Sequence, residues 1–268
     1  MIFRLTGATV RAVCVAIVVM LPAFLLPDTT QSGLEFTRIL ATIAAVFVIY
    51  EYGFASPSVI EFRFAAPYNR VRFLLLATLI LTPAYLISSM LEGVALHGTF
   101  AAIAENGPVF LDFAYSPVSI VANTLAGNNS DMREAVVQAM ALNVVFSFSC
   151  VLAFCGAIFS NLWRFGGDDF NMWTNMPTYK SYGLESLQDR LINSAFASFL
   201  VACLLPLFGP TIADVALVWL SSDGILAPII ISWLIAIWTY LPAIYLMRAA
   251  ALLKIAMNHG NKGQWIPA

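Results

Sequence analysis

Four stretches of this chain run for 19 or more residues without a charged side chain: those between Arg72 and Glu92, Glu134 and Arg164, Arg190 and Asp214, and Asp223 and Arg248. A helix of about 20 apolar residues rises about 30 Å, the thickness of the hydrocarbon core of a bilayer. Composition agrees with that length match. Of 268 residues, 60% are hydrophobic and 10% charged, whereas a soluble domain carries about 25% charged residues. A soluble chain this apolar would lack the polar groups to cover its surface.

The sequence therefore predicts an all-α, polytopic membrane helix bundle, with 1–268 as a single integral membrane domain. Six transmembrane helices are expected at roughly 8–27, 35–55, 73–91, 135–162, 191–209 and 226–247. The first resembles a secretory signal, since Arg4 and Arg11 precede the apolar run Ala12 to Leu26. Leu25-Leu26-Pro27-Asp28 offers no small-x-small cleavage site, so the segment is expected to stay as an anchor.

Loop charge sets the expected orientation. The N-terminus and segments 56–72, 163–190 and 248–268 would share one side and hold eleven of the thirteen basic residues, leaving only Arg38 and Arg133 opposite. The positive-inside rule puts the basic side in the cytoplasm, with both termini inside. A bacterial inner membrane is the expected location. Aromatic residues cluster at the same boundary, from Tyr50 to Tyr68 and from Trp163 to Tyr182. Rings with one wet end favour the headgroup level. After the last span, 248–268 reads as a helical extension to Gly260 and a loose tail.

The other side holds a long loop, 92–134, whose apolar part Pro108 to Leu125 is too hydrophobic for an ordinary connection. Thr211 to Leu220 is similar and follows the breaker Phe208-Gly209-Pro210. Apolar stretches of this length read as interfacial or re-entrant.

Few residues carry chemistry. Glu51 lies 13 residues after Arg38, about 20 Å along a continuous helix, so at least one of the two sits near or within the apolar zone. It reads either as an intramembrane functional acid or as an interfacial one beside Tyr50 and Tyr52. In Glu61 to Arg72, the arginines Arg63, Arg70 and Arg72 alternate with aromatics. Guanidinium forks hold phosphate bidentately, and anionic headgroups lie at this depth. The same residues would also serve as a simple positive-inside anchor.

Asp168 and Asp169 form the one adjacent acid pair and are weak candidates for a Mg²⁺ site. His97 and His259 are expected on opposite sides, which leaves no shared histidine site, and no nucleotide fingerprint occurs. Cys14, Cys150, Cys155 and Cys203 fall in apolar runs and read as free thiols rather than a disulfide framework or zinc site. Pro22, Pro83, Pro206, Pro228 and Pro242 fall inside spans as potential kinks. Asn143, Ser147, Ser149, Asn193, Ser194 and Ser198 would either bond between helices or line a polar path.

These features predict a non-enzymatic membrane accessory, scaffold or assembly component. It would have no cofactor and no nucleic-acid partner, and would contact membrane lipids, including anionic ones, and other membrane proteins or further copies of itself. Two alternatives stay open. One is a small transporter or channel with a polar path near Glu51 and the fourth and fifth spans. The other is a lipid-modifying enzyme using the basic face.

Overall fold

A computed structural model of the protein describes residues 2–27, 29–54, 61–163, 175, 176, 179, 187–220 and 226–260. Helix makes up 86% of it, and no strand occurs among the described residues. The elements are α1 (Ile2–Leu25), α2 (Gln31–Gly53), α3 (Ala66–Glu92), α4 (Gly98–Asn106), α5 (Pro108–Leu111), α6 (Pro117–Ala126), α7 (Ser130–Phe159), α8 (Leu187–Leu204), a 3-10 turn (Leu205–Phe208), α9 (Gly209–Leu220) and α10 (Pro228–Gly260). Six of these segments are long and apolar enough to cross a membrane: α1, α2, α3, α7, α8 with its continuation through α9, and α10.

The helices start where a side chain can take up a free N–H. Thr30 accepts from Gly33 N at the start of α2, Asn129 from Met132 N at α7, and Ser116 from Ser119 N at α6. Such caps are worth about 1 kcal/mol each. They also carry the helices several residues past the apolar runs, so α7 begins at Ser130 rather than 135. At the other end of α3, Gly93 adopts φ 67° and closes the helix in the left-handed region that suits glycine.

The centre of the bundle is the triad α3, α7 and α10. The α1–α2 hairpin leans on α3 through α1, and α2 packs chiefly against α1. On the opposite flank α8 packs along α10. Two apolar cores fill the triad. One joins Ile87, Val136, Met140, Ile231 and Ile235 to Val121 and Ala122 of α6. The other joins Leu79, Phe154, Ile158, Leu191, Met247 and Leu252. The end of the bundle around the second core is called here the basic end, and the opposite one the far end.

The two apolar far-end segments are helices packed as a cap. α4, α5 and α6 lie along α7, and α9 lies against α6. Phe208-Gly209-Pro210 does not break the chain: Gly209 is helical, and the 3-10 turn leads straight into α9. The glycine is there for close approach, because a Cβ built on it would collide with the Trp238 indole, which donates to Pro206 O at 3.1 Å.

Candidate functional site

The polar side chains of the basic end are organised by the short connection 61–65. Phe62 takes φ 61°, unusual without glycine. Such a conformation costs about 1–3 kcal/mol and persists only where its surroundings fix it. Here they do: Phe62 N donates to Asn175 O at 2.8 Å, Phe64 N donates to Asn175 Oδ1 at 2.9 Å, and Asn69 Nδ2 donates to the Phe62 and Arg63 carbonyls. The Phe62 ring is buried 4.9 Å from that of Tyr68. This clamp turns Arg63 inward, where it is 9% exposed and donates to Phe54 O at 2.8 Å.

Arg63 then faces Tyr52, its guanidinium carbon 5.6 Å from the ring centroid, while that of Arg11 lies 4.9 Å from the same centroid. Arg72 stacks on Tyr68 at 5.4 Å, lies within hydrogen-bonding reach of the Tyr240 hydroxyl, and acts electrostatically on Tyr52. The Nε atoms of Arg63 and Arg72 are buried and make no hydrogen bond. Arg70 is exposed and enters none of these contacts. Of the three arginines singled out in the sequence, Arg63 shares the Tyr52 ring with Arg11, and Arg72 lies on the neighbouring Tyr68 ring. Glu51 occupies the last turn of α2 beside this cluster and is 2% exposed. Asp168 and Asp169 lie outside the described residues, among which no group of three or more His, Cys, Asp or Glu could hold a metal ion.

A second network at this end ties four segments together. Glu61 accepts two hydrogen bonds from Arg248, at 2.5 and 2.7 Å, and Arg248 also donates to Ser198 and, at 3.3 Å, to the Tyr179 hydroxyl. Lys254, 6% exposed, donates to Asn161 Oδ1 at 2.8 Å beside the end of α7, where the helix dipole favours a cation.

Half-way along the bundle, Asn143 is fully buried and its Nδ2 donates to Leu79 O at 3.0 Å and Thr239 Oγ1 at 3.2 Å. Leu79 is four residues before Pro83, and its carbonyl is the one that Pro83, having no N–H, leaves without its helical donor. The amide of α7 therefore satisfies the acceptor that the proline of α3 sets free. Asn143 Oδ1 and Ser147 Oγ are buried without a partner. Ser149 and Asn193 are exposed, and Ser198 is engaged by Arg248. Among the described residues, the polar side chains of the fourth and fifth spans are thus divided between a helix bridge, exposed surface and the Arg248 network.

Two cavities flank this region. A void of about 50 Å³ lies where α6, α7, α9 and α10 meet, lined by Val121, Met140, Gly209 and Trp238 among others. An apolar groove of about 170 Å³ runs between α7 and α10 past Ser147, Phe148, Pro206 and Pro242.

At the far end Arg133 grips Asp112 bidentately, at 3.0 and 2.8 Å, and donates to Asn123 Oδ1 at 2.7 Å. Thr124 donates to Asp214 at 3.4 Å, linking α6 to α9. The hydrogen bonds from Arg133, helped by Ser119, hold the Asp112 carboxyl below the usual carboxylate range against the opposing effect of burial. Sequence reasoning missed this staple. Its signal was one acid and one base bracketing an apolar segment on the side nearly free of cations.

No family model matches the chain, and neither does any curated protein or solved structure. The functional reading therefore rests on the residues themselves.

Proposed function

We propose that this protein is a non-enzymatic component of a bacterial cytoplasmic membrane, with both termini inside, that scaffolds or helps assemble other membrane proteins and contacts lipid. The observation that carries this reading is the use made of the polar groups in and beside the central triad. Asn143 bridges α7 to α3 and α10, and Arg248 is bound by Glu61. The first fastens helix to helix and the second fastens α10 to the 61–65 connection, uses expected of a rigid bundle rather than of a conduit. Meanwhile Ile39, Ile43, Val46 and Phe47 of α2, and Phe196, Phe199 and Leu200 of α8, are exposed apolar surface on the two flanks. The clustering of Arg11, Arg63, Arg70, Arg72 and Lys254 at one end supports the orientation proposed.

The test is photo-crosslinking in native membranes from a benzophenone amino acid at Phe47 or Phe199. Adducts of discrete protein mass are expected from at least one flank. Lipid adducts alone at both flanks, together with solute flux that requires the protein in reconstituted vesicles, would favour the transporter alternative. Reporter fusions after Gln31 and Asn129 should read as outside, and fusions after Tyr68 as inside; a consistent reversal would overturn the orientation.

A further inference from the structure

The basic end holds two guanidinium groups over one phenol ring, Arg11 and Arg63 on Tyr52, with Arg72 on the neighbouring Tyr68 ring. Among the described residues, the charged side chains acting on Tyr52 are Arg11, Arg63, Arg72 and Glu51. Among the described residues that is three cations to one anion, whatever Glu51 itself bonds to. Glu61, the next acid along the chain, is bound to Arg248. An excess of cations at a partly buried place is unfavourable unless an anion from outside joins it.

Hydrogen bonding leads to the same place. Each guanidinium carries five donors. Arg63 uses one terminal nitrogen on the Phe54 carbonyl, and Arg11 uses one on the carbonyl of Gly7 in its own helix, at 3.0 Å. The Nε groups of Arg63 and Arg72 are buried with no acceptor at all. Arg63 is held in this position by the clamp at Phe62 and Asn175, so its unmet donor is built into the fold.

We propose that Arg11, Arg63 and Arg72 form one phosphate-binding site against Tyr52, between α1, α2 and the start of α3, and that it takes the phosphate of an anionic lipid headgroup. Phosphate is the anion whose several oxygens suit convergent guanidinium forks. A lipid is favoured over a free anion by the surroundings of Arg11. This residue is the exposed member of the group, and Val10, Val13 and Ile17 on the same helix are exposed apolar side chains along which acyl tails would lie. Tyr50 and Phe54, paired at 5.5 Å, stand at the same level, where an aromatic belt meets the headgroups.

The inference rests on the lipid-contact part of the function proposed above, and its test does not depend on any protein partner. The purified full chain is titrated in mild detergent with phosphatidylglycerol or phosphatidylcholine, and bound lipid is counted by native mass spectrometry. Wild type should bind phosphatidylglycerol about tenfold or more tightly than Arg11→Gln, as expected for losing one charge-assisted contact. Arg70→Gln removes the same charge from the same end but lies outside the cluster, and should stay within about twofold of wild type. Arg72→Lys should restore more binding than Arg72→Gln yet less than wild type, because the planar fork is lost.

Thermal unfolding of each variant separates lost binding from lost fold, and Arg11, being exposed, is the substitution least able to disturb folding. Sodium phosphate should displace phosphatidylglycerol where sodium chloride of equal ionic strength does not. Binding of inorganic phosphate without retention of phosphatidylglycerol would overturn the lipid assignment. Equal losses in Arg11→Gln and Arg70→Gln, or equal binding of the two lipids by wild type, would overturn the site. Either failure would leave the crosslinking test of the scaffold reading untouched.

Discussion

Replacing Asn143 with alanine tests whether the bundle is fastened at its middle in the way the geometry indicates. The change deletes two donated hydrogen bonds, to Leu79 O and to Thr239 Oγ1. Thr239 keeps its own bonds to Ile235 O and Ala236 O, so only the Leu79 carbonyl is stranded. A stranded buried acceptor costs about 1–3 kcal/mol, while an interhelical bond in a membrane averages about 0.6 kcal/mol. Loss of the unpartnered Oδ1 offsets part of this, and the expected net destabilisation is about 2 kcal/mol. The double variant with Pro83→Ala discriminates more sharply. Pro83→Ala supplies the missing N–H to Leu79 O within α3, so Asn143→Ala should cost about 1 kcal/mol less in that background. Reversible unfolding in mixed micelles with increasing dodecyl sulfate measures all four corners of the cycle. Additivity of the two substitutions within about 0.5 kcal/mol would refute the pairing of Asn143 with the proline's free carbonyl.

Three further outcomes are expected. Because Asp112 is held below the usual carboxylate range, its contribution is fully present above about pH 4 and is lost as pH falls through its folded value; amide exchange in 108–126 should rise there, and Asp112→Asn should raise it already at neutral pH. Gly209→Ala should displace the Trp238 indole and break its bond to Pro206 O, lowering stability by about 1–3 kcal/mol, read as an earlier thermal unfolding; unchanged unfolding would show that α9 can move away. Glu51→Gln should leave folding and expression nearly unchanged while Glu51→Leu lowers both, since a buried polar end is kept in one and lost in the other; abolition of a proton-coupled flux by Gln in a folded protein would instead support transport.

The bilayer made most of the fold legible. Charge-free runs of the right length located four of the six apolar helices and shorter apolar runs the other two, because a charged side chain in hydrocarbon is costly enough to leave a trace in the sequence. Helix ends were less readable. Asn129 and Thr30 extend their helices beyond the apolar run, and Gly209-Pro210 reads as a break although proline is compatible with a first helical turn. At the basic end, the alternation of arginine with aromatics was visible, but its membership was not. Arg70 and Arg72 are two apart on a helix and point to different sides, which sequence reasoning could have used to separate them. Arg11 joins only because α1 folds back alongside α2. The pairing of Asn143 with Pro83 is of the same kind: each residue is conspicuous alone, and only packing joins them.

The central position of α10 has a consequence in time. The ribosome makes this helix after the other five spans, yet α3, α7 and α8 all pack on it. Until it arrives, Glu61 lacks its arginine, Asn143 has only the Leu79 carbonyl, and α8 lacks its principal neighbour. The contacts that join α3, α7 and α8 through their common neighbour can therefore form only once 228–260 has been made. Premature release of the chain would leave Glu61 without its arginine and uncover the faces of α3, α7 and α8 that pack on this helix.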